Sequence, residues 1–140
     1  MSCELCREDG GLVLWRGPRC RVVHVEEPGY PGYCRVIWNA HVKEMTDLQA
    51  GDRQHCLDVV FAVEAAVRSV LHPEKINLAC LGNLTPHVHW HVIPRFADDP
   101  HFPLTIWAAP QRPPARSAAP DLARTLARML SDTLKAGLRT

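Results

Sequence analysis

The sequence predicts one α+β domain with a helical appendage at its C-terminus, and three observations carry that prediction. Short segments rich in Val, Leu and Ile are separated by Gly-Pro and Pro-Gly breaks, as strands are. A longer segment in the middle of the chain repeats its apolar residues at helical spacing, and a later one alternates histidine with apolar residues, the period of a strand. With 140 residues, 46% hydrophobic and 22% charged, the chain is long enough for a single core.

Leu12 to Trp15, Cys20 to Val25 and Cys34 to Trp38 are the first three predicted strands. From Asp52 to Leu71 the residues Cys56, Val59, Val60, Val63, Val67 and Val70 recur at intervals of one, three and four, which predicts an amphipathic helix ending before His72-Pro73. Its many valines lower intrinsic helix propensity, so packing has to compensate. Ile76 to Leu81 is a fourth strand, and the turn Gly82-Asn83-Leu84-Thr85-Pro86 leads into a fifth, His87 to Arg95, as an antiparallel pair. These elements make up an expected domain of residues 1–109. A Pro-rich tether over 110–120 follows, and then a terminal helix over 121–140 whose pattern runs from Asp121 to Leu138, with Leu122, Leu126, Leu130 and Leu134 four apart.

Composition excludes several function classes. No run approaches the roughly eighteen apolar residues of a membrane span, and Met1-Ser2-Cys3-Glu4 lacks the features of a secretory signal, so a cytoplasmic protein with no membrane partner is expected. In that setting cysteines 3, 6, 20, 34, 56 and 80 are expected as reduced thiols. A net charge of +1 supplies no general field for long nucleic acids. Charge is uneven, with six Arg/Lys against two Asp from Gln111 onward, which reads as a solvated helix face.

The chemistry concentrates at His87-Val88-His89-Trp90-His91-Val92-Ile93. A strand period of two sends the three imidazoles to one face and Val88, Trp90 and Val92 to the other. Three of the chain's eight histidines at alternate positions are hard to attribute to packing. Clustered imidazoles titrate as a unit and can mix neutral and charged members near neutral pH, so one can act as nucleophile while a neighbour serves the leaving group. Imidazoles two apart can also share a zinc ion, and spacing alone leaves a three-histidine zinc hydrolase open. Cys3-Glu4-Leu5-Cys6 has the gap that lets two thiolates bind one ion, and alone it is half a site.

At these residues the sequence resembles the histidine triad (HIT) superfamily, whose motif is His-x-His-x-His followed by two apolar residues, here His87, His89, His91, Val92 and Ile93. Gly82-Asn83 stands where the family usually has Gly-Gln, and Asn77 where related proteins place a phosphate-contacting Asn or Gln. The resemblance covers about residues 3 to 107. It implies a HIT-like sheet of about five antiparallel strands with packed helices, a homodimer, and hydrolysis or transfer of nucleoside monophosphates from dinucleoside polyphosphates or phosphoramidates. Carried over by position, it implies His89 as the nucleophile that becomes nucleotidylated, His91 serving the phosphate and leaving group, and His87 orienting the site. Asn77, Asn83 and Thr85 would bind phosphate or leaving group, and Glu26, beside His24, would contact ribose. Some members complete a structural zinc site with a histidine in the position of His41 and with the first triad histidine, giving Cys3, Cys6, His41 and His87 here; no cofactor is implied for the chemistry itself.

The sequence departs from the family pattern at three positions, the mildest being Pro86 immediately before His87, since proline is tolerated at a strand's first residue. Leu84 replaces a common Ser or Thr, and Tyr33 replaces a histidine of the usual relay. These departures leave a second reading open, a purine-nucleotide-binding module with little turnover. His101 and Trp107 read as packing or surface residues.

Overall fold

The computed structural model describes residues 3–137, with side chains described through Leu134. The C-terminal end expected for the last helix, Leu138, lies outside the described residues. Five strands, β1 (Leu12–Arg16), β2 (Cys20–His24), β3 (Cys34–Trp38), β4 (Lys75–Ala79) and β5 (His89–Arg95), form one antiparallel sheet in the order β1-β2-β3-β5-β4. Among the described residues three helices accompany it, α1 (Glu4–Arg7), α2 (Ala50–Leu71) and α3 (Leu122–Gly137), with a 3-10 turn at Met45–Asp47.

The pleat gives the sheet two unlike faces. Cys20, Val22, Cys34, Val36 and Val92 point to one side, where Cys56, Val59, Val60, Val63 and Val67 of α2 pack on them. Leu122, Leu126, Leu130 and Leu134 of α3 join the same core, while Arg124 and Arg128 stay exposed, so the basic segment does present a solvated face. Full burial of each such aliphatic side chain stabilises the fold by about 1.5–3 kcal/mol, the compensation that the valine-rich α2 needs. Burial also pushes the thiols of Cys20, Cys34 and Cys56 up to about 12, so these three behave as small apolar side chains.

Strand boundaries shift from the expected ones where side chains compete for the backbone. β5 begins at His89 rather than His87, because His87 N–H bonds to the Thr85 carbonyl, and the His87 carbonyl accepts from a side chain instead of from the ladder. β4 stops at Ala79, two residues short of Leu81, and β2 stops at His24, although Val25 N–H still reaches the Tyr33 carbonyl. The turn from β2 to β3 needs glycine at residue 32. Its φ is +87°, a Cβ there would come within 2.4 Å of the Leu71 side chain, and its N–H donates to His24 Nε2.

Residues 110–120 carry no helix or strand, yet they are pinned to the loop after β5. Gln111 N–H bonds to the Pro100 carbonyl, Arg112 reaches the carbonyls of Asp99 and Phe102, and Arg116 pairs with Asp98 and lies over the Phe96 ring.

Candidate active site

The face of the sheet away from α2 carries the odd-numbered residues of β3 and β5. In the ladder Arg35 lies opposite His91 and Ile37 opposite His89. Carbonyls can only accept, so two hydrogen bonds fix two tautomers. His87 Nε2–H donates to the Trp38 carbonyl at 2.5 Å, and His89 Nδ1–H donates to the His87 carbonyl at 2.6 Å. As a neutral imidazole His89 therefore carries its lone pair on Nε2, and it lines a cleft of about 630 Å³ with His91, Arg35, Gly82, Asn83, Leu84, Thr85 and Trp107.

His91 is clamped on two sides. Its Nδ1 shares a 2.7 Å hydrogen bond with the Tyr33 hydroxyl, and the Trp107 ring meets it edge-on at 5.2 Å. Burial first, then the charges of Arg35 and His89, hold its pKa down to about 4, so at neutral pH it is an uncharged imidazole. Tyr33, where the sequence suggested a missing relay member, thus restores a hydrogen-bonding partner. Burial raises its own phenol, which stays protonated.

Of the binding residues expected from sequence, Asn83 and Thr85 line this cleft with His89 and His91. Asn77 and Glu26 are not brought to it. The Asn77 side-chain oxygen accepts from Arg95 at 2.8 Å, and Glu26 lines a different cavity with His24, Tyr30 and Arg116. That separation has a physical cause: β2 ends at His24, and the chain turns through Pro28-Gly29 before re-entering the sheet. His24 is occupied as an acceptor for Gly32, and burial lowers its pKa, so it serves the turn.

His87 faces away from the cleft towards Cys3, Cys6 and His41. Its Nδ1 lies 3.4 Å from Cys3 Sγ, 3.5 Å from Cys6 Sγ and 3.3 Å from His41 Nδ1, and Cys6 Sγ lies 3.4 Å from the same His41 nitrogen. A tetrahedral zinc with Zn–N about 2.0–2.1 Å and Zn–S about 2.3 Å sets its donors about 3.3–3.8 Å apart, so these four residues fit that ion. With Nε2 protonated against Trp38, His87 offers its lone pair on Nδ1, on the side of the other three donors. The cysteines are brought there by α1, a single turn that Arg21 ties down by donating to the carbonyls of Leu5, Glu8 and Asp9. The three triad imidazoles do not converge on one point, which removes the geometric basis for a zinc held by all three.

The segment that leads to Trp107 is tied to a buried ion pair. Arg95 grips Asp99 through Nε at 2.8 Å and Nη2 at 3.1 Å, and Nη2 also donates to the Leu104 carbonyl. Burial alone would raise the Asp99 carboxyl, but Arg95 and the N–H groups of Phe96, His101 and Phe102 outweigh it and hold the pKa at about 2. The Tyr30 hydroxyl joins this network and also meets His101 at 2.6 Å, so His101 is a packing residue with a defined partner. Asp99→Asn is expected to destabilise the fold by about 3–5 kcal/mol at neutral pH. Because the folded pKa lies below the ordinary carboxylate value, this contribution is complete above about pH 5 and fades as pH falls towards 2. Urea unfolding of wild type and variant from neutral to acid pH should therefore show a gap that narrows with acid, and a constant gap would refute this assignment.

Sequence reasoning missed Arg35 as a site residue. The available signal was a charge at the cleft-facing parity of a strand whose other residues are apolar.

Among curated proteins, the chain is 28% identical over 105 residues to an AP-4-A phosphorylase from Mycobacterium tuberculosis, covering 71% of this chain and 53% of that one. It thus spans about half the length of the curated relatives it matches. Solved structures share its fold. A histidine triad (HIT) protein from Sinorhizobium meliloti matches with TM-score 0.73 at 23% identity, over 94% of this chain and 95% of that one. A zinc-bound histidine triad family protein from Mycobacterium smegmatis matches with TM-score 0.69 at 23% identity, over 97% and 98%. Residues 7–98 match the model of the HIT domain, and the chain belongs to the HIT domain family.

Proposed function

We propose that the protein is a nucleotide hydrolase or nucleotidyl transferase that cleaves at a nucleoside α-phosphate through a covalent nucleotidyl-His89 intermediate. The observation that carries this reading is the hydrogen bond from His89 Nδ1–H to the His87 carbonyl, which leaves Nε2 as the lone-pair donor of a neutral ring that lines the cleft. Nε2 attacks phosphorus, a P–N bond forms, and the bond to the leaving group breaks with its electron pair going to the departing atom. Water then attacks phosphorus, the P–N electrons return to Nε2, and a nucleoside monophosphate and a proton are released. Asn83, Thr85 and the N–H groups of the Gly82 turn supply donors for the phosphoryl oxygens, whose charge is the main demand on such a site. Substrates of the dinucleoside polyphosphate or nucleoside phosphoramidate class satisfy this chemistry. The match to an AP-4-A phosphorylase supports the first of them.

Cys3, Cys6, His41 and His87 hold a structural zinc in this reading, and the zinc takes no part in the chemistry. A homodimer and a cytoplasmic setting belong to the same proposal; no described helix is long and apolar enough to cross a membrane.

The direct test is intact-protein mass spectrometry after brief acid quench with diadenosine tetraphosphate or adenosine 5′-phosphoramidate. An added adenylyl mass supports the covalent step. Tight AMP binding without adduct or turnover would instead identify a nucleotide-binding module.

A further inference from the structure

Among the described residues lining the cleft, Arg35 is the only Arg or Lys. It sits on β3 between Cys34 and Val36, both fully buried on the opposite face, and directly across the ladder from His91. Its Nε is buried without a hydrogen-bond partner, and among the described residues its guanidinium enters no ion pair. Its guanidinium carbon lies 5.7 Å from the centre of the Tyr33 ring, and its charge and N–H groups beside the phenol partly offset the rise that burial gives Tyr33. Glu4, the carboxylate on the same cleft, is exposed and forms no bond to it. Arg35 as a whole is half-buried and lines the cleft, and a cation there without a carboxylate partner suits an anion brought in by the substrate.

Position along the strand identifies which anion. His89, the proposed nucleophile, and Arg35's ladder partner His91 are two residues apart, about 6.6 Å along β5. In the ladder Arg35 therefore stands level with His91, one step beyond His89, on the side where Trp107 meets His91.

We propose that Arg35 is a specificity-determining residue that binds the phosphate charge of the leaving group, so that the site favours nucleotides which expel an anionic phosphate over those which expel a neutral amine. The proposal rests on the reading of His89 as the nucleophile and narrows it. When Nε2 attacks, the P–O bond to the leaving phosphate breaks and its electron pair stays on that oxygen. Arg35 neutralises the charge through two parallel N–H bonds and transfers no proton. An amine leaving group, by contrast, must collect a proton as the P–N bond breaks. Arg35 cannot supply one, and neighbouring His91 is held uncharged at neutral pH.

The test compares kcat/KM of wild type, Arg35→Gln and Arg35→Lys on diadenosine tetraphosphate and on adenosine 5′-phosphoramidate, which deliver the same adenylyl group to His89. Arg35→Gln is expected to lose about 100-fold on the polyphosphate and less than about 3-fold on the phosphoramidate. Arg35→Lys should recover part of the loss, since a point charge survives and the planar fork does not. Equal losses on both substrates, or none on either, would overturn the proposal. Calorimetry in a His89→Ala background separates this inference from the catalytic reading beneath it. There Arg35→Gln should weaken diadenosine tetraphosphate binding by about tenfold or more and leave phosphoramidate binding within about 3-fold. If wild type turns over neither substrate, the catalytic reading fails while this binding difference still supports the role of Arg35; without the difference, that role fails as well.

Discussion

His89→Ala is expected to lower kcat/KM by roughly four orders of magnitude or more while leaving the fold intact, because in the proposed mechanism it removes the atom that would make and break the covalent bond. The ring is 8% exposed and its one hydrogen bond runs to the carbonyl of His87, two residues away. Truncation opens that carbonyl to water in the cleft, so no buried acceptor is stranded. Far-UV circular dichroism and the urea midpoint should therefore stay close to wild type, and the adenylyl adduct should vanish. Retention of turnover or of the adduct would mean that the nucleophile lies elsewhere.

Loss of zinc should act on the other side of the ledger, on stability. The full-length protein is expected to carry one zinc per chain by elemental analysis, and Cys6→Ser should reduce that to near zero. An ion present at a thousand times its dissociation constant stabilises a fold by about 4 kcal/mol, worth roughly 10 °C in unfolding midpoint for a chain of this length. Turnover by the protein that remains folded should change little, since His87 keeps its bond to Trp38 and its carbonyl still orients His89. Metal loss that abolished turnover without unfolding would make the ion catalytic and refute this division of labour. Wild-type protein without zinc and with an unaltered midpoint under chelation would refute the site.

What could be read from the sequence depended on how local the cause was. β3 is recovered residue for residue, because a β-branched run between turn signals needs no distant partner to be recognised. The common face of His89 and His91 follows from the same period of two. By contrast, α1 is a single turn, too short for any periodicity, and it is tied down by Arg21, whose role no pattern around Cys3 reveals. Trp107 reaches His91 from the segment after β5, where Asp99 accepts from the Phe102 N–H and Arg95 donates to the Leu104 carbonyl, hydrogen bonds that no periodicity announces. Glu26 lines a different cavity from His89 and His91 for a related reason: its place is set by where β2 ends, and strand ends are decided by competing hydrogen bonds.

The alternation of the sheet has a consequence for how such a protein can change over time. On β3 and β5, residues of the cleft-bearing face are interleaved one by one with residues that pack towards α2. A drifting lineage can therefore exchange a residue such as Tyr33 or Arg35 without repacking Cys34, Val36 or Val92. Selectivity is free to wander among the cleft-lining positions of that face, while the even-numbered residues, together with Ile37, Ile93 and Arg95, keep the architecture.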